Sequence, residues 1–188
     1  HNFGNSRNMG DSGKQEASQE SLEERIAHLE TQIKETGITY NQARVMAFFR
    51  KQGLLSAKFK WSPNEYYDWS LDRRQKFLGA ASIHHLCKAI VLENHHYKEQ
   101  FADDETYPRY LICIIQWSTR LNAEKVFKYI RQLQNSNSKG IPTAGKAAIK
   151  YRLASEASSA DITGYGYNQV TPWCLENKIP IILSKPIL

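Results

Sequence analysis

The run RYLICIIQW, residues 109–117, is apolar at most of its positions. Because successive side chains of a strand point to opposite faces of a sheet, such a run predicts a strand that is buried on both faces. The segment LCKAIVLEN, residues 86–94, has a similar β-rich composition. We therefore predict that these two segments are central strands, with the rest of the fold arranged around them.

Shorter segments on either side follow strand or helix patterns. Further strands are predicted at AKFKW (57–61), KYRLA (150–154) and IPIILS (179–184). Helices are predicted at NQARVMAFFRKQG (41–53), LDRRQKFLG (71–79), NAEKVFKYIRQLQ (122–134) and SEASSADIT (155–163). The helices and strands interleave without a regular strand–helix–strand repeat, which indicates an α+β fold with a mixed sheet.

The first 37 residues differ from the rest in composition. Residues 1–20 are rich in Gly, Asn and Ser and poor in large apolar groups, which is typical of a disordered linker. In residues 21–37, Ser21 and Glu24 have the spacing of a capping box, and Gly37 suits a C-cap. An apolar seam runs between them through Leu22, Ile26, Leu29 and Ile33. This amphipathic helix is either a coiled-coil arm for a partner or a helix folded back on its own domain, predicted at residues 38–188.

The charge of the chain favours an anionic partner such as nucleic acid. There are 25 Lys and Arg against 19 Asp and Glu, for a net charge of +6 and a pI near 9.2. Three separated cysteines are typical of reduced thiols in an intracellular protein. The sequence has no apolar run that could span a bilayer and no signal peptide, so we expect a soluble cytoplasmic protein. Because the first residue is His1, we also expect the chain to be part of a longer one.

Histidines and cysteines suggest a metal site at first sight. One segment contains five such residues, at His84, His85, Cys87, His95 and His96. The two groups stand at opposite ends of a predicted strand, roughly 20 Å apart, which is too far for ligands of one ion. The sequence also lacks a Gly-x-Ser-x-Gly elbow, a Walker loop and a dinucleotide fingerprint, and nothing marks Cys174 as an activated thiol. We therefore expect no metal, no cofactor and no standard nucleophile.

The loop from Gly164 to Pro172 concentrates glycine, asparagine and proline. Glycine and asparagine tolerate positive φ, so such a loop can direct several backbone N–H groups to one point and hold an anion or an oxyanion. By composition alone, an ordinary turn between two elements is the favoured interpretation.

Several segments together resemble the YbaK and prolyl-tRNA-synthetase-associated editing domain family, in its eukaryotic branch. They are KWSPNEYYDWSLDRRQKFLGAASIHHLCKAIVLEN, YPRYLICIIQWSTRLNAEKV, KYRLASEASSADITGYGYNQVTP and IPIILSKPI, which cover most of residues 58–187. The resemblance implies a strongly curved mixed sheet or partial barrel flanked by helices. It also implies a hydrolase that removes wrongly attached amino acids from tRNA.

The family's motifs fall on particular residues of this chain. Its strand lysine corresponds to Lys88, and its glycine-rich loop to Gly164–Pro172. The resemblance implies that the lysine binds the phosphate of the terminal adenosine and that loop N–H groups face the ester carbonyl. Hydrolysis then depends on positioning, an oxyanion hole and the ribose hydroxyl of the substrate. The catalytic residues are accordingly expected at Lys88, Gly166 and Asn168, and the substrate-binding residues at His84, Arg152, Gly164, Tyr167, Thr171 and Pro172.

The chain also departs from the family pattern. Asn168 stands where many members have glycine, Cys174 replaces a second glycine, and the bulky Trp173 precedes it. The family's last Gly-rich strand is absent after residue 187, so we expect an incomplete C-terminal end and an exposed sheet edge. Two functions therefore stay open. One is a deacylase acting on mischarged tRNA, such as alanine or cysteine on proline tRNA. The other is a catalytically silent tRNA-binding or scaffolding module of a synthetase assembly, with the helix at 21–37 as the contact to a synthetase.

Overall fold

In the part of the chain that the structure describes, four strands form one open, mixed sheet in the order β3–β1–β2–β4. The strands are β1 (Cys87–Asn94), β2 (Tyr110–Gln116), β3 (Tyr151–Leu153) and β4 (Ile181–Leu183). The two long central strands pair antiparallel, β3 joins β1 antiparallel, and β4 joins β2 in parallel. The mixed sheet and the α+β class are thus confirmed, and the sheet is open rather than closed into a barrel.

This computed structural model describes Ser21 and residues 23–25, 27–28, 31, 37–102, 104–137 and 144–187. The chain divides into two units, His1–Ala43 and Arg44–Leu188. In the first unit, residues 23–25, 27–28 and 31 are helical. The predicted capping box is confirmed, because Ser21 N donates to Glu24 Oε2 at 2.8 Å and Glu24 N donates to Ser21 Oγ at 3.2 Å. The predicted linker at 1–20 and the four seam positions lie outside the described residues.

Strand β2 is buried on both faces, as its apolar run predicts. Leu111 and Cys113 belong to one apolar cluster, while Ile112 between them belongs to a second cluster on the other face. The first cluster includes Val126 and Ile130 of a long helix that covers this face of the sheet. Residues of one strand therefore serve two cores, which fixes the strand register.

Four α-helices accompany the sheet among the described residues. They are α1 (Tyr40–Lys51), α2 (Leu71–Leu78), α3 (Ala123–Asn137) and α4 (Glu156–Thr163). Ser70 and Ser155 cap the N-termini of α2 and α4 by accepting backbone N–H bonds. None of the helices in the described part of the chain has the length and apolar character that a membrane crossing requires.

The strand predicted at residues 57–61 is wrong. This segment forms no strand, and its residues are exposed. Phe59 packs against Phe49 of α1 with ring centroids 6.3 Å apart, and Lys60 donates to the Phe77 carbonyl at the end of α2. Alternating side chains fitted a strand pattern here, but the segment is held by contacts to two helices and not by a neighbouring strand.

Candidate functional site

A cavity of about 820 Å³ lies against the first half of β1. Residues 87–91 of this strand line it, because β3 pairs with β1 only at Leu92–Asn94 and leaves the earlier residues uncovered on that side. Residues 165–168 and 170–173 of the glycine-containing loop line another part of the wall. A volume of this size is typical of ligand sites.

Lys88 reaches this cavity from the second position of β1. Its Nζ lies 4.5 Å from the centroid of the Trp117 ring, directly after β2. An ammonium group over an indole face is held by the electrons of the ring, without neutralisation of its charge. In the part of the chain that the structure describes, no carboxylate lies within 4.0 Å of this ammonium. Lys88 thus presents a half-buried positive charge to the cavity.

The loop begins where helix α4 ends. Gly164 closes the helix in the left-handed conformation, with φ +74°, and its N–H donates to Ala160 O at 2.8 Å. Asn168 is also left-handed, with φ +60°, as its ability to replace glycine allows. Directly after Asn168, Gln169 N donates to Gly166 O at 3.1 Å and closes a turn. The loop therefore reverses direction at the cavity wall.

Three backbone N–H groups of this turn remain available. Among the described residues, the N–H groups of Gly166, Tyr167 and Asn168 find no acceptor, whereas those of Tyr165 and Gln169 are bonded within the loop. All three residues line the cavity. Consecutive unbonded N–H groups form the kind of donor set that stabilises an oxyanion.

Tyr66 and Tyr67 line a further part of the cavity wall, and Tyr67 contacts the loop. The Tyr67 hydroxyl donates to Asn168 O at 3.1 Å, which ties the wall to the turn. Burial raises the pKa of both Tyr66 and Tyr67, and so keeps these phenols neutral. Neutral phenols are hydrogen-bond donors, and they add no negative charge to the surroundings of Lys88.

Arg74 lies behind this wall and is 5% exposed. Its Cζ lies 4.5 Å from the Trp117 ring centroid, and its Nη2 donates to the Tyr67 carbonyl. Its Nε and Nη1 have no partner among the described residues. A buried guanidinium without a carboxylate partner is costly in a folded protein. Arg74 and Lys88 together place two cations around one indole ring, so this side of the cavity is electropositive.

The part of helix α1 from Arg44 onward holds the loop from outside. Arg44 pairs with Glu176 at 2.6 Å and lies over the Tyr165 ring at 5.0 Å. Phe49 packs edge-on against Trp173 at 5.5 Å between ring centroids. Trp173, which lines the cavity, is therefore fixed by α1 and narrows the space beside the loop.

The structure brings most of the predicted site residues together, but not all. Lys88 lines the cavity, as do Gly166, Tyr167, Asn168, Thr171 and Pro172. The other predicted residues, His84, Arg152 and Gly164, do not.

Each of these three has a local reason for its place. His84 lies in the turn before β1, where its carbonyl accepts from Gln116 Nε2 at 2.9 Å. Arg152 is exposed and points to the opposite face of β3 from Leu153, which lines the cavity. Gly164 is the helix cap. The substrate-binding and catalytic roles of all nine predicted residues stay predictions.

Sequence reasoning missed Arg74, Trp117 and the two tyrosines. The available signal was the aromatic and basic composition of NEYYDWSLDRRQKF, residues 64–77. The histidines near β1 are used locally: His85 Nδ1 lies 2.8 Å from Ser82 Oγ and His96 Nδ1 lies 2.8 Å from Ala147 O. Within the described ranges, no three metal-ligating side chains cluster.

Comparisons with known proteins support the fold. No model of a protein family matches this sequence, and no curated protein matches it. Among solved structures, a proposed trans-editing enzyme for prolyl-tRNA synthetase is similar, with a TM-score of 0.52 and 14% identity over 78% of this chain and 73% of that chain. A scaffold protein for presenting linear epitopes by computational backbone grafting gives a TM-score of 0.52 and 12% identity over 77% and 72%. At these identities the likeness is one of fold.

Proposed function

We propose that this chain is a cytoplasmic aminoacyl-tRNA deacylase of the YbaK type, which hydrolyses the ester of a mischarged tRNA. The observation that carries the proposal is that Lys88 lines the same cavity as three consecutive loop residues whose N–H groups have no acceptor among the described residues. The fold shared with a proposed trans-editing enzyme supports the same conclusion.

The proposed chemistry uses position and charge instead of a side-chain nucleophile. Lys88 binds the phosphate of the terminal nucleotide, which places the ester beside the loop. Water adds to the ester carbonyl carbon, and the carbonyl oxygen takes the negative charge. The N–H groups of Gly166, Tyr167 and Asn168 stabilise this oxyanion. Collapse of the intermediate breaks the bond to the ribose oxygen, which takes one proton of the attacking water. The second proton passes to solvent, and the amino acid departs as its carboxylate.

Trp173 determines which size of amino acid we expect the cavity to accept. Because its ring is held by Phe49 and lines the cavity, it limits the space for the amino-acid side chain. Small amino acids such as alanine and cysteine on proline tRNA are therefore the first substrates to test.

A specific observation also favours the second candidate, a silent tRNA-binding module. Asn168 places a side chain where a glycine would leave space, and its carbonyl is occupied by the Tyr67 hydroxyl. In that case the cavity binds the end of the tRNA without turnover. The helix within residues 21–37 is then proposed as the contact to a synthetase.

The test is release of amino acid from a panel of mischarged tRNAs by the whole chain. We expect release above the spontaneous rate, and a loss of about 100-fold or more in Lys88→Ala, since positioning of the ester depends on this contact. Lys125→Ala is the matched control, because Lys125 is exposed and does not line the cavity. Thermal unfolding checks that both variants fold. Binding of tRNA without release across the panel would support the silent module instead.

A further inference from the structure

One segment beside the cavity has a composition unlike the rest of the surface. Residues 50–61, RKQGLLSAKFKW, contain four Lys and Arg and no Asp or Glu. All twelve residues are exposed, and large apolar side chains are among them, with Leu55 79% and Trp61 65% exposed. We refer to residues 50–61 as the basic-aromatic segment. Contiguous exposed apolar groups on a folded domain commonly mark an interaction surface.

The segment belongs to a wider electropositive region. Residues 44–78 contain eight Lys and Arg and three Asp and Glu, a net charge of +5 out of +6 for the whole chain. Nearly all of the excess charge therefore lies in a region that includes the basic-aromatic segment and the tyrosine wall of the cavity. Such a concentration attracts a polyanion.

Two chains of contacts place the C-terminal end of the basic-aromatic segment next to the cavity. Phe59 packs on Phe49, which packs on the cavity residue Trp173. Lys60 lies 5.3 Å over the Phe77 ring, which in turn packs 6.0 Å from the cavity residue Tyr66. Phe59 and Lys60 are thus each one residue removed from the cavity wall, so the C-terminal end of the segment lies beside the cavity.

We propose that the basic-aromatic segment binds an unpaired nucleic-acid strand whose end enters the cavity. Aromatic side chains that alternate with lysines, as in KFKW, suit a single strand, because unpaired bases expose faces for stacking while the phosphates remain accessible. A base-paired duplex hides those faces. The inference rests on the proposed function in one respect, since the strand that enters is the one that carries the ester.

Binding to RNA tests the segment without any need for turnover. The probe is a fluorescent eight-nucleotide single-stranded RNA, compared with a duplex of the same sequence, and the readout is anisotropy with the whole chain. We expect the single strand to bind more tightly. Trp61→Leu should weaken its binding about fivefold or more, from the loss of one stacked base. Tyr129→Leu, which changes an exposed aromatic residue on α3, is the matched control and should bind like wild type.

The charge contribution is measured by salt dependence. The double variant Lys51→Gln/Lys58→Gln should reduce the slope of log K against log salt by about 1.4, because each single-strand phosphate contact contributes about 0.7. Lys125→Gln/Lys150→Gln removes the same charge from exposed lysines outside the segment and should leave the slope unchanged. Equal losses in the two double variants would overturn the inference, as would equal binding of duplex and single strand.

The outcome is separable from that of the proposed function. If the whole chain releases no amino acid but the segment variants still lose single-strand binding, the segment is supported and the deacylase fails. If turnover is present and the segment variants bind the single strand like wild type, the deacylase stands and the segment is overturned.

Discussion

Replacing Gly164 by alanine tests how the candidate loop is joined to helix α4, because two separate costs meet at this residue. With φ at +74°, a residue other than glycine is strained by roughly 1–2 kcal/mol. An added Cβ would also lie 2.3 Å from Glu176 Cγ and 2.8 Å from its Oε1. The Glu176 side chain must therefore move, and its 2.6 Å ion pair with Arg44 is lost.

The size of the second cost follows from exposure. The Glu176 side chain is 52% exposed, so solvent screening limits the ion pair to about 1 kcal/mol or less. Together with the backbone strain, Gly164→Ala should reduce the free energy of unfolding by about 1–3 kcal/mol. In a Glu176→Ala background the clashing Cγ and Oε1 atoms are absent, so the same substitution should cost only the strain of about 1–2 kcal/mol.

Urea unfolding of the wild type, both single variants and the double variant measures this coupling. Gly166→Ala is the internal control: the nearest atom to its added Cβ, Gln169 Nε2, is 3.6 Å away, so stability should change by less than about 0.5 kcal/mol. An identical cost of Gly164→Ala with and without Glu176 would refute the steric reasoning. If Gly164→Ala lowers the stability by less than Gly166→Ala does, the reasoning that Gly164 avoids backbone strain is refuted.

Two further predictions concern buried groups. Asn94→Ala should destabilise the fold by about 3 kcal/mol, measured by urea unfolding. The reason is that the side-chain amide donates to Ala148 O at 2.9 Å and accepts from the N–H groups of His96 and Lys150. A loss of stability below about 1 kcal/mol would contradict this prediction. Burial raises the pKa of Cys113 to about 11, so between pH 9 and 11 the unfolded thiol ionises while the folded one does not, and stability falls as pH rises. The stability of wild type relative to Cys113→Ala should therefore decline across this window, and a constant difference would exclude a role for the thiol.

Elements whose signals are local were predictable from sequence. Helices α2 and α4 begin at capping serines and end at Gly79 and Gly164, all within a few residues of the helix. The central strands were predictable because each apolar run is long enough to be buried by itself. Residues 57–61 have the alternating pattern of a strand, but no strand lies beside them. Whether a segment has a neighbouring strand depends on the whole fold and is not visible in those five residues.

The candidate site was predictable only in part, for a related reason. Lys88 and the loop were identified through the family resemblance, and both line the cavity. The contact between Tyr67 and Asn168 joins residues 101 positions apart, so no local sequence pattern predicts it. No local signal marks Arg74 within the helix predicted at residues 71–79, since its burial depends on Trp117 from a distant strand end.

The short pairing between β3 and β1 has a consequence for any ligand selectivity that this cavity has. Asn94 N donates to Arg109 O and Trp117 N donates to Leu86 O, so even-numbered residues of β1 bond to β2. The N–H and C=O groups of Ala89 therefore point away from β2. They point to the side on which β3 lies, but β3 pairs only with Leu92–Asn94 and does not extend to Ala89. Any selectivity that these groups supply comes from hydrogen bonds of the main chain and not from a side chain. Alanine scanning cannot remove it and side-chain divergence does not erase it, so two relatives with little sequence in common can retain the same specificity.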